Sequence, residues 1–597
     1  MSEIPQRLSQ LRRQMLAHDL YAWIAPSSDP HQSEYVATHW QARTWLSGFS
    51  GSAGTLAVTH SQAGLWTDAR YHLRAAGELA GSGIELFKLG LPGTPRLLEW
   101  LREQVPPGAV VGFDGAVMSA AEAANLEAVL AEKGVRVSIQ HDLLSEIWFD
   151  RPSLPSNPIR IHPDVFAGES RTNKLTRVRS ELQRQGGDYH LVCALDDIAW
   201  MLNLRGSDIE YNPVAVCYAL ISQQAARLFI QSEKVPFEVQ AELESSGVSL
   251  HPYDQIEDHL RNLPAGSAIC IDPNKTNARL HRSIPNSSRV IEGQSLPNIL
   301  KTVKNETELA GIRRAHLRDG AALVRWLCWL EDRVRFDAHT GLSLTEITAA
   351  EKLDEFRSLE ENFQGLSFGT IAGYGPNSAV GHYSTDPAND PTLHPTGIFL
   401  VDSGAQYLDG TTDITRTISL GNPQPEEKIA FTQVLKCHIR LATAQFPRGA
   451  TGAQLDAIAR EPLWRLGWNC RHGIGHGVGC FLNVHESPPR FSETSTTALQ
   501  PGMLLSNEPG VYFEDRFGVR IENVLMVKPP VRSEFGEFLS FETVSLAPID
   551  LNLVESTLLE PTEIAWLNAY HCQVRETLSP LLSTAEVDWL EQKTKAL

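Results

Sequence analysis

Apolar positions in the first twenty residues recur at helical spacing. Leu8, Leu11, Met15 and Leu16 predict an amphipathic helix over residues 1–20. The run YAWIA (21–25) reads as a buried strand, and SGFSGSAGTLAVT as glycine turns leading into another. LWTDARY passes into the helical pattern YHLRAAGEL, and strands and helices keep alternating to about Phe149. This predicts an α/β domain over residues 1–150. The proline-rich stretch RPSLPSNPIRIHP (151–163) is the first linker candidate. A second α/β unit follows over 151–300, opening with TRVRSELQRQG and YHLVCAL. Its DIAWMLNLRGSD aligns with ARTWLSGFSGSA, placing Trp200 opposite Trp45 and Gly206 opposite Gly51. The strand LFI is expected to match LAV, so the two units read as an internal duplication.

PNILKTVKN (297–305) marks the second boundary, and 301–597 reads as a third domain of α+β type. NETELAGIRRAHLRDGAALVRWLCWLEDRV predicts a long helix, and LSLTEITAAEKLDEFRSL another with a capped start. GLSFGTIAGYGPNSAVGHYS is expected to form a strand pair, and HPTGIFLVDSG a buried strand ending at Asp402. Two helices, EKIAFTQVLKCHIRLATAQF and GAQLDAIAREPLWRLG, precede a histidine motif, and the tail from Pro561 is helical and caps this domain.

Composition narrows the function classes. A chain of 597 residues exceeds one core, and 42% hydrophobic with 21% charged residues is ordinary for a soluble globular protein. A net charge of −19 leaves no basic surplus to neutralise phosphates, which argues against nucleic acid. No 18-residue apolar run exists to span a membrane, and the N-terminus lacks an apolar signal core. Eight scattered cysteines without a CxxC pair read as reduced thiols, hence a cytoplasmic location.

The candidate chemistry lies between Leu400 and Glu522. Asp402 in VDSGAQYLDG, Asp413 in TTDITRT, His476 in GIGHGVG, Glu508 in SNEPG and Glu522 in VRIENV give four carboxylates and one imidazole. Singly, each has a plainer reading as a turn residue or solvated strand end. Together they suit manganese, zinc, iron or cobalt, and five ligands exceed one catalytic zinc, so two metals are expected to share carboxylates. Spacing constrains the geometry. A turn at Asp409-Gly410 would pair Asp402 with Thr417 and leave Asp413 about 13 Å away, whereas a turn centred on Tyr407-Leu408 sets the two Asp opposite each other. The connection is therefore not expected to be a tight Asp-Gly hairpin. Glu508 and Glu522 flank a loop from Phe513 to Phe517 and are expected to face each other, with Arg520 beside Glu522 to pair with a carboxylate. Cys470 and Cys480 flank His476, which keeps a thiolate site open, although no second close pair completes it. There is no GxSxG nucleophile motif.

The strings DSGAQYLDGTTDITRT, HGIGHGVGCFLNVHE, NEPGVY and GVRIENV resemble those of the pita-bread metallopeptidases, most closely the aminopeptidase P family in its long, three-domain form. HQSEYVATHWQARTWLSGFSGSAGT, LWTDARY and LDDIAWMLNLRGSDIEYNP extend the resemblance to the earlier domains. The resemblance implies two creatinase-like α/β domains followed by a pita-bread catalytic domain. It implies release of the first residue from peptides with proline second, using two divalent metals, with manganese expected and zinc or cobalt as alternatives. It implies a homodimer. It makes His382 and His485 site residues, His485 donating to the scissile carbonyl or tetrahedral intermediate and His382 beside the proline. Glu508 would move a proton from a metal-bound hydroxide's parent water to the leaving nitrogen. Tyr512 and His472 stand as supporting residues. The alternatives are a prolidase, a methionine aminopeptidase or a creatinase of the same fold, or a non-catalytic pita-bread binding module. Ser384–Asp390 (STDPAND) departs from the pattern in being more polar.

Overall fold

In the computed structural model, which describes residues 3–340, 343–387 and 390–597, the first apolar stripe forms the helix Ile4–Ala17. Ile4, Leu8, Leu11 and Met15 are buried, while Leu16 is exposed: the stripe runs through Ile4 instead, at i and i+4 to Leu8. The chain falls into two compact units, one of Met1–His162 with Glu169–Leu300, the other of Pro163–Gly168 with Lys301–Leu597.

The first unit holds two six-stranded sheets. One contains β1 (Ala22–Pro26), β2 (Thr55–Thr59), β3 (Ala63–Thr67), β4 (Glu85–Lys88), β5 (Val110–Phe113) and β6 (Arg136–Ser138), in the order β4-β3-β2-β1-β5-β6. The other contains β7 (Tyr189–Val192), β8 (Tyr218–Ser222), β9 (Ala226–Phe229), β10 (Val248–His251), β11 (Ala268–Ile271) and β12 (Arg289–Glu292), in the order β10-β9-β8-β7-β11-β12. The orders are the same, and so are the directions: β1–β2 and β2–β3 are antiparallel, as are β7–β8 and β8–β9, and the other pairs are parallel. Trp45 and Trp200 sit on equivalent helices, Ala42–Ser47 and Leu195–Met201. One alignment is corrected. LAV lies on β2 but LFI falls on and just past β9, so the partner of LAV is within YALIS of β8. Residues 151–162 of the linker candidate are part of this unit, where Arg160–Ile161 pairs with Leu204–Arg205. Within HQSEY, His31 serves packing: it is buried and its ring nitrogens are bonded to Cys193 O and Tyr253 Oη, both at 2.9 Å.

In the second unit the long helix spans Glu306–Thr340, and the next, Glu346–Ser358, is capped by Thr345, whose hydroxyl accepts from Thr348 N. The expected strand pair divides between two sheets. Phe363–Leu366 pairs with Ala405–Tyr407, whereas Ile371–Tyr374 pairs with Ile398–Ser403, which also pairs with Ile414–Ser419. Gly475–Gly477 lies between Glu486–Phe491 and Leu504–Asn507 in a five-stranded sheet. The C-terminal helices Pro561–Leu578 and Thr584–Lys593 bury Leu567, Tyr570, Val574, Leu578 and Leu590 in the core of this unit.

The connection between the two Asp residues is not an Asp409-Gly410 hairpin, as expected, but neither is its turn centred on Tyr407-Leu408. Tyr407 pairs with Gly410 across a two-residue turn at Leu408-Asp409, so Asp402 faces Thr415, midway between the two registers weighed from sequence. Asp413 then lies two residues from Thr415, diagonal to Asp402. Gly410 is not the turn glycine. A Cβ there would approach Ala315 Cβ to 2.9 Å, so its role is close packing against the long helix. That helix also holds the turn, Arg314 and Arg318 both pairing with Asp409.

Gly410→Ala is expected to destabilise the protein by about 1–3 kcal/mol through overpacking. Gly77→Ala, on a helix with nothing within 4 Å of the new Cβ, is expected to stabilise by about 0.5–1 kcal/mol. Thermal unfolding of both variants checks this, and equal shifts would refute the assignment of Gly410.

Candidate metal centre

Backbone pairing brings the five candidates together from separate strand ends. Asp402 is the fifth residue of Ile398–Ser403, a strand buried at every position. Asp413 sits just before Ile414–Ser419. His476 is the middle of a three-residue strand whose flanking residues must be glycine. A Cβ on Gly475 would lie 2.1 Å from Ser506 O, and one on Gly477 2.5 Å from Glu486 O. Asn507 pairs with Asn523 and Gly510 with Arg520, a register that brackets Glu508 opposite Glu522, as expected. Glu508 N donates to Ile474 O and Glu522 N to Thr415 O.

One ligand atom from each of Asp413, His476 and Glu522 lies within 4.8 Å of the others. His476 Nε2 is 3.4 Å from Asp413 Oδ2 and 3.5 Å from Glu508 Oε1. The other ring nitrogen, Nδ1, lies 2.8 Å from Gly477 O, a position for donation that leaves Nε2 facing the carboxylates. Asp402 Oδ2 accepts from Arg520 Nη2 at 2.7 Å, while its buried Oδ1 has no hydrogen-bond partner among the described residues. Electrostatics agree with this crowding. Burial, then Asp413 and Glu508, push the Asp402 carboxyl up to about 6 against the pull of Arg520. Burial and the same neighbours raise Glu522 well above the usual carboxylate range. Burial lowers the His476 imidazole, but Asp413 and Glu508 outweigh it and bring it to about 9. A largely buried group of like charges, with an orphaned carboxylate oxygen and an imidazole nitrogen turned toward the carboxylates, fits divalent cations.

Arg520 spans the site. Besides Asp402 it donates from Nη1 to Tyr512 Oη at 2.6 Å and to Gly381 O at 3.4 Å, and from Nε to Thr415 Oγ1 at 3.2 Å. Tyr512 Oη is 2.9 Å from His472 Nε2, and His472 Nδ1 is 4.0 Å from Glu508 Oε2. The His485 ring stands edge-on to His476, centroids 4.3 Å apart. His382 enters through its neighbour Gly381, whose carbonyl faces Arg520. Ala388 and Asn389 of the polar STDPAND segment lie outside the described residues. Among the described residues the grouped ligand atoms include no cysteine: Cys470 Sγ faces His472 O and Cys480 Sγ faces Asp409 O. Two residues escaped the sequence reading. Ser506 Oγ accepts from His476 N and bonds Glu508 Oε1, and Thr415 Oγ1 donates to Glu522 Oε2 at 2.7 Å. Each lies two positions from an acidic candidate, on the same strand face, which is the signal that could have found them.

Comparison with known proteins places this architecture. Residues 310–529 match Metallopeptidase family M24, residues 7–144 and 150–308 each match the Creatinase/Prolidase N-terminal domain, and 537–597 match the C-terminal region of peptidase_M24. Aminopeptidase P2 of Arabidopsis thaliana is 40% identical over 100% of this chain and 89% of its own. A probable Xaa-Pro aminopeptidase P of Talaromyces marneffei is 42% identical over 99% of this chain and 92% of its own. The solved X-prolyl aminopeptidase of Caenorhabditis elegans, a cytosolic enzyme with a di-nuclear active site, superimposes with a TM-score of 0.94 at 35% identity, covering 99% of both chains. The fold and site thus define an M24 metallopeptidase with creatinase-like N-terminal domains. The chain belongs to the aminopeptidase P family.

A carboxyl whose folded pKa is raised favours the folded chain when protonated, so in metal-free protein Asp402 opposes folding at neutral pH, and this opposition fades as pH falls from about 6 into the usual carboxylate range. Asp402→Asn is therefore expected to raise the melting temperature of chelator-treated protein at pH 7.5, with the gain shrinking through that range. Manganese should reverse the order. A difference that does not change with pH would defeat this account.

Proposed function

We propose that this chain is a metal-dependent aminopeptidase that releases the N-terminal residue from peptides with proline in second position. The observation that carries this reading is the convergence of Asp413, His476 and Glu522, with Glu508 and Asp402 alongside, in a chain similar over its full length to Xaa-Pro aminopeptidases. Two divalent cations would be held by Asp402, Asp413, His476, Glu508 and Glu522, and when bound they supply Lewis acidity and a water activated at neutral pH. Manganese is the proposed metal; the ligand types suit zinc or cobalt as well.

The protein's own groups do the rest. Glu508, steadied by Ser506, takes the proton of the attacking water and delivers it to the proline nitrogen, which as a tertiary amide must be protonated to leave. His485 donates to the carbonyl oxygen as charge develops there. His382 lies on the proline side. Arg520 and Thr415 hold Asp402 and Glu522 in place, and Tyr512 and His472 brace Arg520 and Glu508. The eight cysteines are free and no helix among the described residues is long and apolar enough to cross a membrane. With the cytosolic C. elegans relative, the free thiols favour a cytoplasmic enzyme. A homodimer is part of the proposal, and light scattering tests it.

Metal-stripped protein with manganese restored is expected to release arginine from Arg-Pro-Pro and not from Arg-Ala-Ala. Glu508→Ala is expected to lower kcat by on the order of 10²–10⁴. Equal cleavage of both peptides would remove the proline requirement. Absence of cleavage with any divalent metal, in folded protein, would favour a binding module.

A further inference from the structure

Glu346 is fully buried, yet every donor to its carboxylate among the described residues is neutral. Tyr374 N donates to Oε1 at 2.6 Å, Asn377 Nδ2 donates to Oε1 and Oε2 at 3.0 and 3.3 Å, and Tyr383 Oη donates to Oε2 at 2.7 Å. A buried carboxylate without a cation is a costly way to tie down a loop. Burial raises its pKa, and the donated hydrogen bonds oppose that rise. What these bonds hold is the segment Tyr374–Tyr383, which contains the short helix Gly375–Ala379 and the turn closed by Tyr383 N on Val380 O. His382 lies in that turn.

The segment is fixed at both ends. On one side Tyr383, the residue after His382, is bound to Glu346. On the other, Gly381 O accepts from Arg520 Nη1, and Ser378 Oγ accepts from Gly518 N at 2.8 Å. Gly518 has no space for a side chain, since a Cβ would lie 2.1 Å from Ser378 O. The strand before the segment pairs with Asp402 at Ile371. His382 is thus suspended between the strands that carry Asp402 and Arg520 and the start of the helix Glu346–Ser358.

We propose that Glu346 is the positioning residue for His382. By gathering Tyr374, Asn377 and Tyr383 on one carboxylate, it sets the turn that presents the imidazole to the departing proline. Two carboxylate oxygens accept all three donors. A glutamine would turn one acceptor into a donor aimed at other donors, and an aspartate would fall a methylene short. This deepens the functional reading above and rests on the role given there to His382.

The test is a double-mutant cycle between Glu346→Gln and His382→Gln, read on Arg-Pro-Pro with manganese, with Tyr383→Phe as a milder cut of the same link. In the wild-type background Glu346→Gln and Tyr383→Phe are each expected to lower kcat about tenfold while KM changes by less than about threefold. In the His382→Gln background neither should lower it further. Equal losses in both backgrounds, or wild-type kinetics for Glu346→Gln, would overturn the proposal. Wild-type kinetics for His382→Gln alone would instead remove the role of His382 itself. If Glu346→Gln does not fold, Tyr383→Phe decides by the same comparison. If His382→Gln is inactive, carbethoxylation of His382 by diethyl pyrocarbonate, followed by mass spectrometry, decides without turnover. It should be faster in Glu346→Gln or Tyr383→Phe than in wild type, and an unchanged rate would refute the proposal.

Discussion

Repulsion among four clustered carboxylates, three of them buried and Glu508 half-buried, is the constraint that the second unit is built to contain. One guanidinium, Arg520, reaches the cluster directly, the His476 imidazole sits between Asp413 and Glu508, and hydroxyls of Thr415 and Ser506 bond Glu522 and Glu508. Behind the cluster lies a second buried cation. Arg416 bonds the carbonyls of Thr415, Glu522, Ala547 and Pro548, the side chain of Asn523 and the hydroxyl of Tyr570, all neutral acceptors. Its positive charge sits under Glu522, and its hydrogen bonds tie the strand ends bearing the carboxylates to the helix Pro561–Leu578. The C-terminal tail is therefore part of what keeps the like charges in register.

The arrangement of the site follows from hairpins with little freedom. The register between Leu504–Asn507 and Asn523–Val527 sets Glu508 against Glu522. The turn at Leu408-Asp409 sets Asp402 diagonal to Asp413. A one-residue slip in either would turn a carboxylate away from the cluster. Glycines at 475 and 477 admit neighbouring backbones close enough to carry His476 between them.

Much of this was legible in the sequence because periodicity and short motifs encode local structure. The first helix, the alternation of the N-terminal sheets, the facing of Glu508 and Glu522 and the two long helices all follow from it. The failures share a physical cause, which is that the deciding partner is distant in the chain. The turn expected at Tyr407-Leu408 falls one residue later, at Leu408-Asp409, where Gly410 packs against Ala315 of the long helix. GLSFGTIAGYG alternates like a hairpin, yet its two strands find different partners. Glu346 reads as an ordinary acid in the first turn of a helix, and nothing nearby in sequence announces that residues 374–383 bury it. Ser506 and Thr415 are common strand residues whose importance depends on which carboxylate lies across the ladder.

The six residues Pro163–Gly168 interrupt the N-terminal unit and belong instead with the C-terminal one, where Asn305 Nδ2 donates to Ala167 O. The catalytic body is consequently not a continuous cassette. A gene segment starting at Lys301 would omit a piece of it, so this body could not be inherited intact by a simple fusion or exchanged between proteins at a single junction.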